Sequence, residues 1–284
     1  MNQTGIFSGA EVMAQYASAL GAKKASGSVL NLFLMGIVGG VMIGFGAVAA
    51  GTASYAVTNP GLARLIAGLI FPFGLGMVML MGSELFTGNT MIFISVLNKS
   101  ASLAGMLKNW ACVYFGNMAG NVLLAAAIVY SGQLNLGGGE LAVYVIKTGA
   151  AKCAVEFFPA VVLGILCNVM VCLGVLCALT AKDTAGKILG AYIPVAFFVM
   201  GGFEHCVANM YYIPAAIFAL GNPGYAALAA NAGIATESLT AANMFITNLL
   251  PVTIGNIIGG AGIAVVLWFC HRAAAKKHIP VANG

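Results

Sequence analysis

The chain reads as an all-α integral membrane protein: six transmembrane helices in two inverted three-helix repeats, with helices 2 and 5 broken. Three observations lead there. Of its 284 residues, 61% are hydrophobic and 7% charged, with a mean hydropathy of +0.99, whereas soluble domains carry about 25% charged residues. Apolar runs long enough to cross about 30 Å of hydrocarbon, roughly 20 residues each, recur six times. Two of these runs hold the same polar interruption, Glu84-Leu-Phe-Thr-Gly-Asn89 and Glu204-His-Cys-Val-Ala-Asn209. Ionisable groups at that depth are costly and mark a bundle interior or a water-filled path.

Residues 1–27 are read as a cytoplasmic N-terminal segment, mixed and polar, ending in Lys23 and Lys24. Its amphipathic stretch from Val12 to Leu20 suits the cytoplasmic membrane surface. The apolar run that follows exceeds the about 7–15 residues of a cleavable signal, so it anchors. Residues 28–270 form the six-helix channel domain. Span one runs from Leu30 to Tyr55 and span two from Leu62 to Leu97. Span two is longer than one crossing needs, and Glu84 to Asn89 reads as a break with Gly88 as the left-handed residue that stops the helix. Backbone groups freed at such a break must be buried in protein or line a cavity. Two readings of Glu84 and Glu204 stand side by side: each braces its break, or each touches a permeant species.

Span three covers Leu107 to Tyr130 and span four Phe157 to Leu179. Pairs such as Gly36 and Gly40, or Gly116 and Gly120, let helix backbones approach closely. Lys147 and Lys152 stand at the mouth of span four with Glu140 and Glu156 nearby; an ordinary snorkelling role is expected for Lys147. Span five, Ile188 to Leu220, carries the second break and the one histidine inside an apolar run. Phe198 and His205 are seven apart, so on a continuous helix they share a face, as do Phe71 and Leu75 at i and i+4. Span six covers Phe245 to Phe269, and residues 271–284, with His271 and His278, form a basic cytoplasmic tail.

Nine of the 12 basic residues fall on one side of this topology, leaving Arg64, Lys147 and Lys152 for the other. The positive-inside rule then places both termini in the cytoplasm and the chain as a multi-pass protein of the plasma (inner) membrane. Phe115-Gly-Asn-Met-Ala-Gly120 follows the first break and Ile254-Gly-Asn-Ile-Ile-Gly259 the second. The order of signatures is thus the same in both halves, and consecutive copies of a three-span unit must be inverted in the membrane. The net charge of +5 is dispersed among loop ends, which excludes a nucleic-acid stripe. The 7 cysteines read as buried apolar filler, since Cys167, Cys172 and Cys177 do not share a helix face. No metal-ligand spacing and no catalytic set is present, so neither an enzyme nor a cofactor is expected.

Four motifs carry a resemblance. Glu84-Leu-Phe-Thr-Gly-Asn89, Leu163-Gly-Ile-Leu-Cys-Asn168, Gly202-Phe-Glu-His-Cys-Val-Ala-Asn209 and Pro251-Val-Thr-Ile-Gly-Asn-Ile-Ile-Gly-Gly260 resemble the signatures of the formate/nitrite transporter family. They cover most of the chain apart from the termini and the loop near Asn222 to Glu237. The resemblance implies a homopentamer of aquaporin-like subunits, each with its own pore for formate, nitrite, hydrosulfide or their conjugate acids. It places the central histidine on His205, the threonine of the first broken helix on Thr87 and the vestibule lysine on Lys152. Apolar constrictions fall on Phe71, Leu75, Leu85 and Phe198. Polar pore support falls on Glu84, Asn89, Asn168, Glu204, Asn209 and Asn256. It also suggests gating by the N-terminal segment. The first motif looks more like the nitrite, hydrosulfide and archaeal-type formate branches than the enterobacterial formate channels.

The expected mechanism follows from cost. A bare anion in a dry constriction loses several kcal/mol or more of hydration, on the order of tens in a fully low dielectric; a neutral acid loses far less. The substrate, attracted by Lys152, is expected to gain a proton near His205, because desolvation raises an acid's pKa. Imidazole titrates near about 6.5 when unperturbed. An aquaporin-like neutral-solute channel is the alternative, although the Asn-Pro-Ala signature is absent.

Overall fold

Polar caps set where the spans begin. Ser28, Asn59, Ser102, Asp183 and Thr240 each place a side-chain oxygen on a backbone N–H of the next turn, opening spans one, two, three, five and six. Pro60 adds the preset φ of a first-turn proline. The computed structural model describes residues 6–277; His278 and the remainder of the basic tail lie outside the described residues. The crossing helices are Val29–Ser54, Pro60–Met81, Leu103–Tyr130, Phe157–Thr180, Thr184–Gly201 and Ala241–Arg272. Beyond their breaks, spans two and five continue as Phe86–Leu97 and Cys206–Leu220. The segment read as a loop after Asn222 contains a helix, Pro223–Asn231, bent 98° from Cys206–Leu220. After its first turn, Ala241–Asn243, span six passes through a π-helical turn, Met244–Leu249, just before Pro251, whose missing N–H cannot close an ordinary turn.

The breaks differ from the sequence reading in one respect. The left-handed glycine that stops span two is Gly82 (φ 66°), not Gly88, and Gly202 (φ 68°) stops span five in the matching place. Nothing lies within 4 Å of where a Cβ on Gly82 would stand, so the backbone conformation and not lack of space calls for glycine there. The helices resume at Phe86 and Cys206, which leaves Gly88 inside a helical turn.

Spans one and three pack together in the first repeat, as spans four and six do in the second. Gly36 and Gly40 interlock with Gly116 and Gly120; Gly164 meets Gly255, and Gly259 lies against the Ile165 backbone. A methyl group on Gly36 would stand 3.0 Å from the Val113 carbonyl oxygen, and one on Gly164 2.8 Å from that of Val252. A methyl on Gly255 would overlap the Val161 carbonyl oxygen, backbone that cannot swing aside. Gly255→Ala is therefore expected to cost about 1–3 kcal/mol, read as a lowered unfolding temperature of the purified protein. Gly262→Ala, on the same helix with open space around it, is the control that should change little.

The N-terminal segment is not laid on a membrane surface. Val12, Met13, Tyr16 and Ala17 are buried against Met91, Ile94, Cys172, Leu176 and Ala264, and the Phe7 N–H donates to the Thr180 carbonyl at 2.7 Å. The amphipathic pattern was answered by protein rather than lipid. Its first helix, Gly9–Gln15, starts with a capping box in which Ser8 and Glu11 exchange hydrogen bonds. The Ser8 backbone N–H and hydroxyl hold the Glu11 carboxyl below its ordinary value. Cysteine burial also departs from expectation: Cys153, Cys167, Cys172 and Cys206 are buried, but Cys112 is half-buried and Cys177 and Cys270 are exposed.

Candidate functional site

Each break is held by one asparagine from the third helix of its own repeat. At the first, the Asn117 amide donates to the carbonyls of Gly36 (2.7 Å) and Glu84 (3.0 Å), while its oxygen accepts the Phe86 N–H (2.9 Å). At the second, Asn256 donates to Gly164 (2.8 Å) and Glu204 (3.0 Å) and accepts from Cys206 N–H (2.9 Å). The two repeats also brace each other. Asn121 donates to the Val207 carbonyl (3.0 Å) and Asn168 to the Thr87 carbonyl (3.1 Å), equivalent positions, each the second residue of its resumed helix. Backbone groups freed by non-helical structure at membrane depth are thereby satisfied inside the protein.

The carboxylates are held with the same symmetry. Glu204 accepts from Lys152 Nζ (2.9 Å) and from Asn209 Nδ2 (2.6 Å); Asn209 also donates to Asn248, which donates to the Lys152 carbonyl. Glu84 accepts from Lys24 Nζ (2.9 Å) and Asn89 Nδ2 (2.6 Å); Asn89 donates to Asn109, which donates to the Lys24 carbonyl. Tyr212 adds an aromatic face 5.4 Å from Lys152 Nζ. The Lys152–Glu204 pair is the drier one, with side-chain exposures of 16% and 7% against 28% and 14% for Lys24–Glu84.

Between the two breaks, Thr87 Oγ1 and His205 Nε2 lie 2.9 Å apart, both residues buried. His205 is also the N-cap of Cys206–Leu220: its Nδ1 accepts the Ala208 N–H at 3.1 Å. An accepting Nδ1 places the ring proton on Nε2, so the imidazole donates toward Thr87. The helix of span five ends before His205, so Phe198 and His205 do not share a continuous face; the chain nonetheless folds their rings into a stack with centroids 5.7 Å apart. Phe71 meets Phe198 edge-on at 5.8 Å.

These rings, with Leu75, Leu85, Ile43, Val171 and Val195, enclose a cavity of about 10 Å³ bordered by His205, room for about one water. On the face that carries the termini, a cavity of about 600 Å³ opens, lined by Lys23, Lys24, Glu84 and Asn89 together with Tyr16 and Leu20 of the N-terminal segment. Leu75 and Leu85 border both cavities and so form the partition between them.

His205, Thr87, Lys152, the four apolar constriction residues and the polar residues expected to support the pore lie in or behind this assembly. Asn168 and Asn256 are fully buried with their amides spent on backbone and on Thr90, behind the breaks. Lys24, Asn109, Asn117, Asn121 and Asn248 were missed. The internal duplication held the signal for several of them: Lys24 stands twelve residues before Gly36 as Lys152 does before Gly164, and Asn117 holds the place of Asn256.

The described chain has TM-scores of 0.77 to two solved structures. One is a "Pentameric formate channel with formate bound", 32% identical, covering 87% of this chain and 98% of that one. The other is an "FNT family ion channel", 25% identical, covering 92% and 98%. A family model described as "Formate/nitrite transporter" matches residues 10–270. The chain belongs to the formate/nitrite transporter family. Among its relatives, "Formate channel FocA" of Haemophilus influenzae is 35% identical over 93% of both chains. "Formate channel FocA" of Escherichia coli K12 is 36% identical over 90% of this chain and 91% of that one. Enterobacterial formate channels thus stand among its relatives, despite the look of the first motif. As a formate/nitrite transporter family member the protein is a multi-pass transport protein of the all-α inverted-repeat fold and not an enzyme; the aquaporin-like neutral-solute alternative is not favoured.

Proposed function

We propose that the protein conducts small monovalent weak-acid anions, formate first and nitrite and hydrosulfide with it, through one pore per subunit of a homopentamer in the plasma (inner) membrane. Formate and the pentamer are supported by what its relatives and the first structural neighbour are named for. The nine basic residues on the termini's side support cytoplasmic termini. The observation that carries the reading is a polar pair, Thr87 and His205, set beside a dry waist and between two lysine–glutamate pairs.

An anion entering from the face opposite the termini meets Lys152. Because Glu204 balances that charge, the pull of Lys152 is short-ranged and acts once the anion is within the vestibule. At the waist formed by Phe71, Leu75, Leu85 and Phe198, losing hydration costs an anion several kcal/mol, and that same loss raises its own pKa until it binds a proton. The proton enters from bulk water with the anion; His205, whose Nδ1 stays on Ala208, donates an Nε2–H hydrogen bond beside Thr87 that holds the anion while the proton binds it. The neutral acid then crosses into the wide cavity and ionises again near Lys24. Glu84, Asn89, Asn168, Glu204, Asn209 and Asn256 keep the broken helices open enough to form this path.

The test is flux into liposomes containing the purified full-length protein, across formate, nitrite, hydrosulfide and a neutral solute such as glycerol. Uptake of the three weak acids that quickens as external pH falls is the expected result. Water or glycerol permeation without anion uptake would overturn the assignment.

A further inference from the structure

The charges on the face opposite the termini leave two cations, Lys147 and Arg64, with no part in the pore. Lys152 is neutralised by Glu204. Exposed Glu140, Glu156 and Glu237 outnumber exposed Lys147, so the loops of that face repel an approaching anion. Arg64 is the one of these two in a helical segment of a broken span, the first segment of span two. It is exposed, and among the described residues no carboxylate pairs with it. Its guanidinium lies against the break of span five: a methyl group on Gly202 would stand 3.1 Å from Arg64 Cζ and 3.2 Å from Nη2. That is two residues before Glu204 and three before His205.

The internal symmetry sharpens the point. Eighteen residues before the stopping glycine stands Arg64 for Gly202's partner helix, Gly82, and Thr184 for Gly202 itself. The charge therefore has no counterpart at the other mouth, where nothing approaches the Cβ position of Gly82 and the cations lining the cavity, Lys23 and Lys24, come from the N-terminal segment.

We propose that Arg64 is the anion-receiving residue of the mouth opposite the termini: a free guanidinium that binds a planar oxyanion before Lys152 takes it deeper. This rests on the anion-pore reading and names the residue that sets its affinity at that mouth. A fork of N–H donors matches the two oxygens of formate or nitrite, and offers hydrosulfide only charge. Arg64 also stands near the carbonyl end of Thr184–Gly201, where a cation is favourable for stability alone, so the test has to separate the two roles.

The measurement is initial flux against substrate concentration for wild type, Arg64→Gln and Arg64→Lys in liposomes, at low and high salt. In Arg64→Gln the half-saturating formate and nitrite concentrations are expected to rise about threefold or more in about 20 mM salt. The difference should shrink at about 0.5 M, where the Debye length is a few Å. Hydrosulfide should shift less, and Arg64→Lys should recover the salt-dependent part. Unchanged half-saturation, or a shift indifferent to salt and accompanied by a lower unfolding temperature, would overturn the proposal and leave Arg64 as a helix cap. Wild type that conducts none of these anions would instead overturn the pore reading.

Discussion

Liposomes carrying His205→Asn are expected to take up formate at nearly one rate at acid and neutral pH, with the acid-pH rate at least about tenfold below wild type. Asparagine is chosen for a physical reason. Its side-chain oxygen is a good N-cap and can still accept the Ala208 N–H, so Cys206–Leu220 keeps its start. What it loses is reach to Thr87 and the ring stacked on Phe198. The site for proton exchange goes while the fold remains, and removing a positioned proton donor or acceptor costs about 10²–10⁴ in chemical steps. Proton-coupled uptake that survives intact in this variant, shown to be folded by its elution and unfolding temperature, would remove His205 from the path.

The second large effect concerns the Lys152–Glu204 pair. Lys152→Met leaves a carboxylate facing Asn209 and Asn248 with no cation, and breaking a buried pair costs about 3–5 kcal/mol. Lys152 keeps 16% of its side chain accessible, so the lower end applies. The double variant Lys152→Met, Glu204→Gln should recover most of that stability, because a neutral amide needs no counter-charge. It should not recover anion flux, since the cation is still missing. Lys24→Met is the internal comparison: its pair is more exposed and opens on the wide cavity, where water replaces the lost ammonium, so about 1 kcal/mol or less is expected. Unfolding temperatures of the four proteins decide the matter. Equal losses for Lys24→Met and Lys152→Met would show that burial does not separate the two pairs.

The spans were legible because hydrocarbon thickness imposes length and apolarity on any helix that crosses it, and caps such as Asn59-Pro60 mark their starts in the local sequence. The breaks were legible as paired polar interruptions, and their repetition carried the inverted symmetry. The exact stopping point was not, because glycine is abundant here: Gly82 and Gly88 are equally permissive locally, and the turn adopted depends on the backbone bonds available to each. The expectation that Phe198 and His205 share a helix face likewise used a local rule across a segment where the helix stops.

Local pattern thus established the membrane environment, the number of crossings, the repeat and the residue types suited to a pore. Three-dimensional packing settled the partners: Lys24 with Glu84 across 60 positions, Lys152 with Glu204 across 52, and Thr87 with His205 across 118. The physical reason is that a buried charge or amide must be matched wherever the chain brings a partner. Periodicity reports which face of a helix is apolar, but not which distant group will stand opposite it.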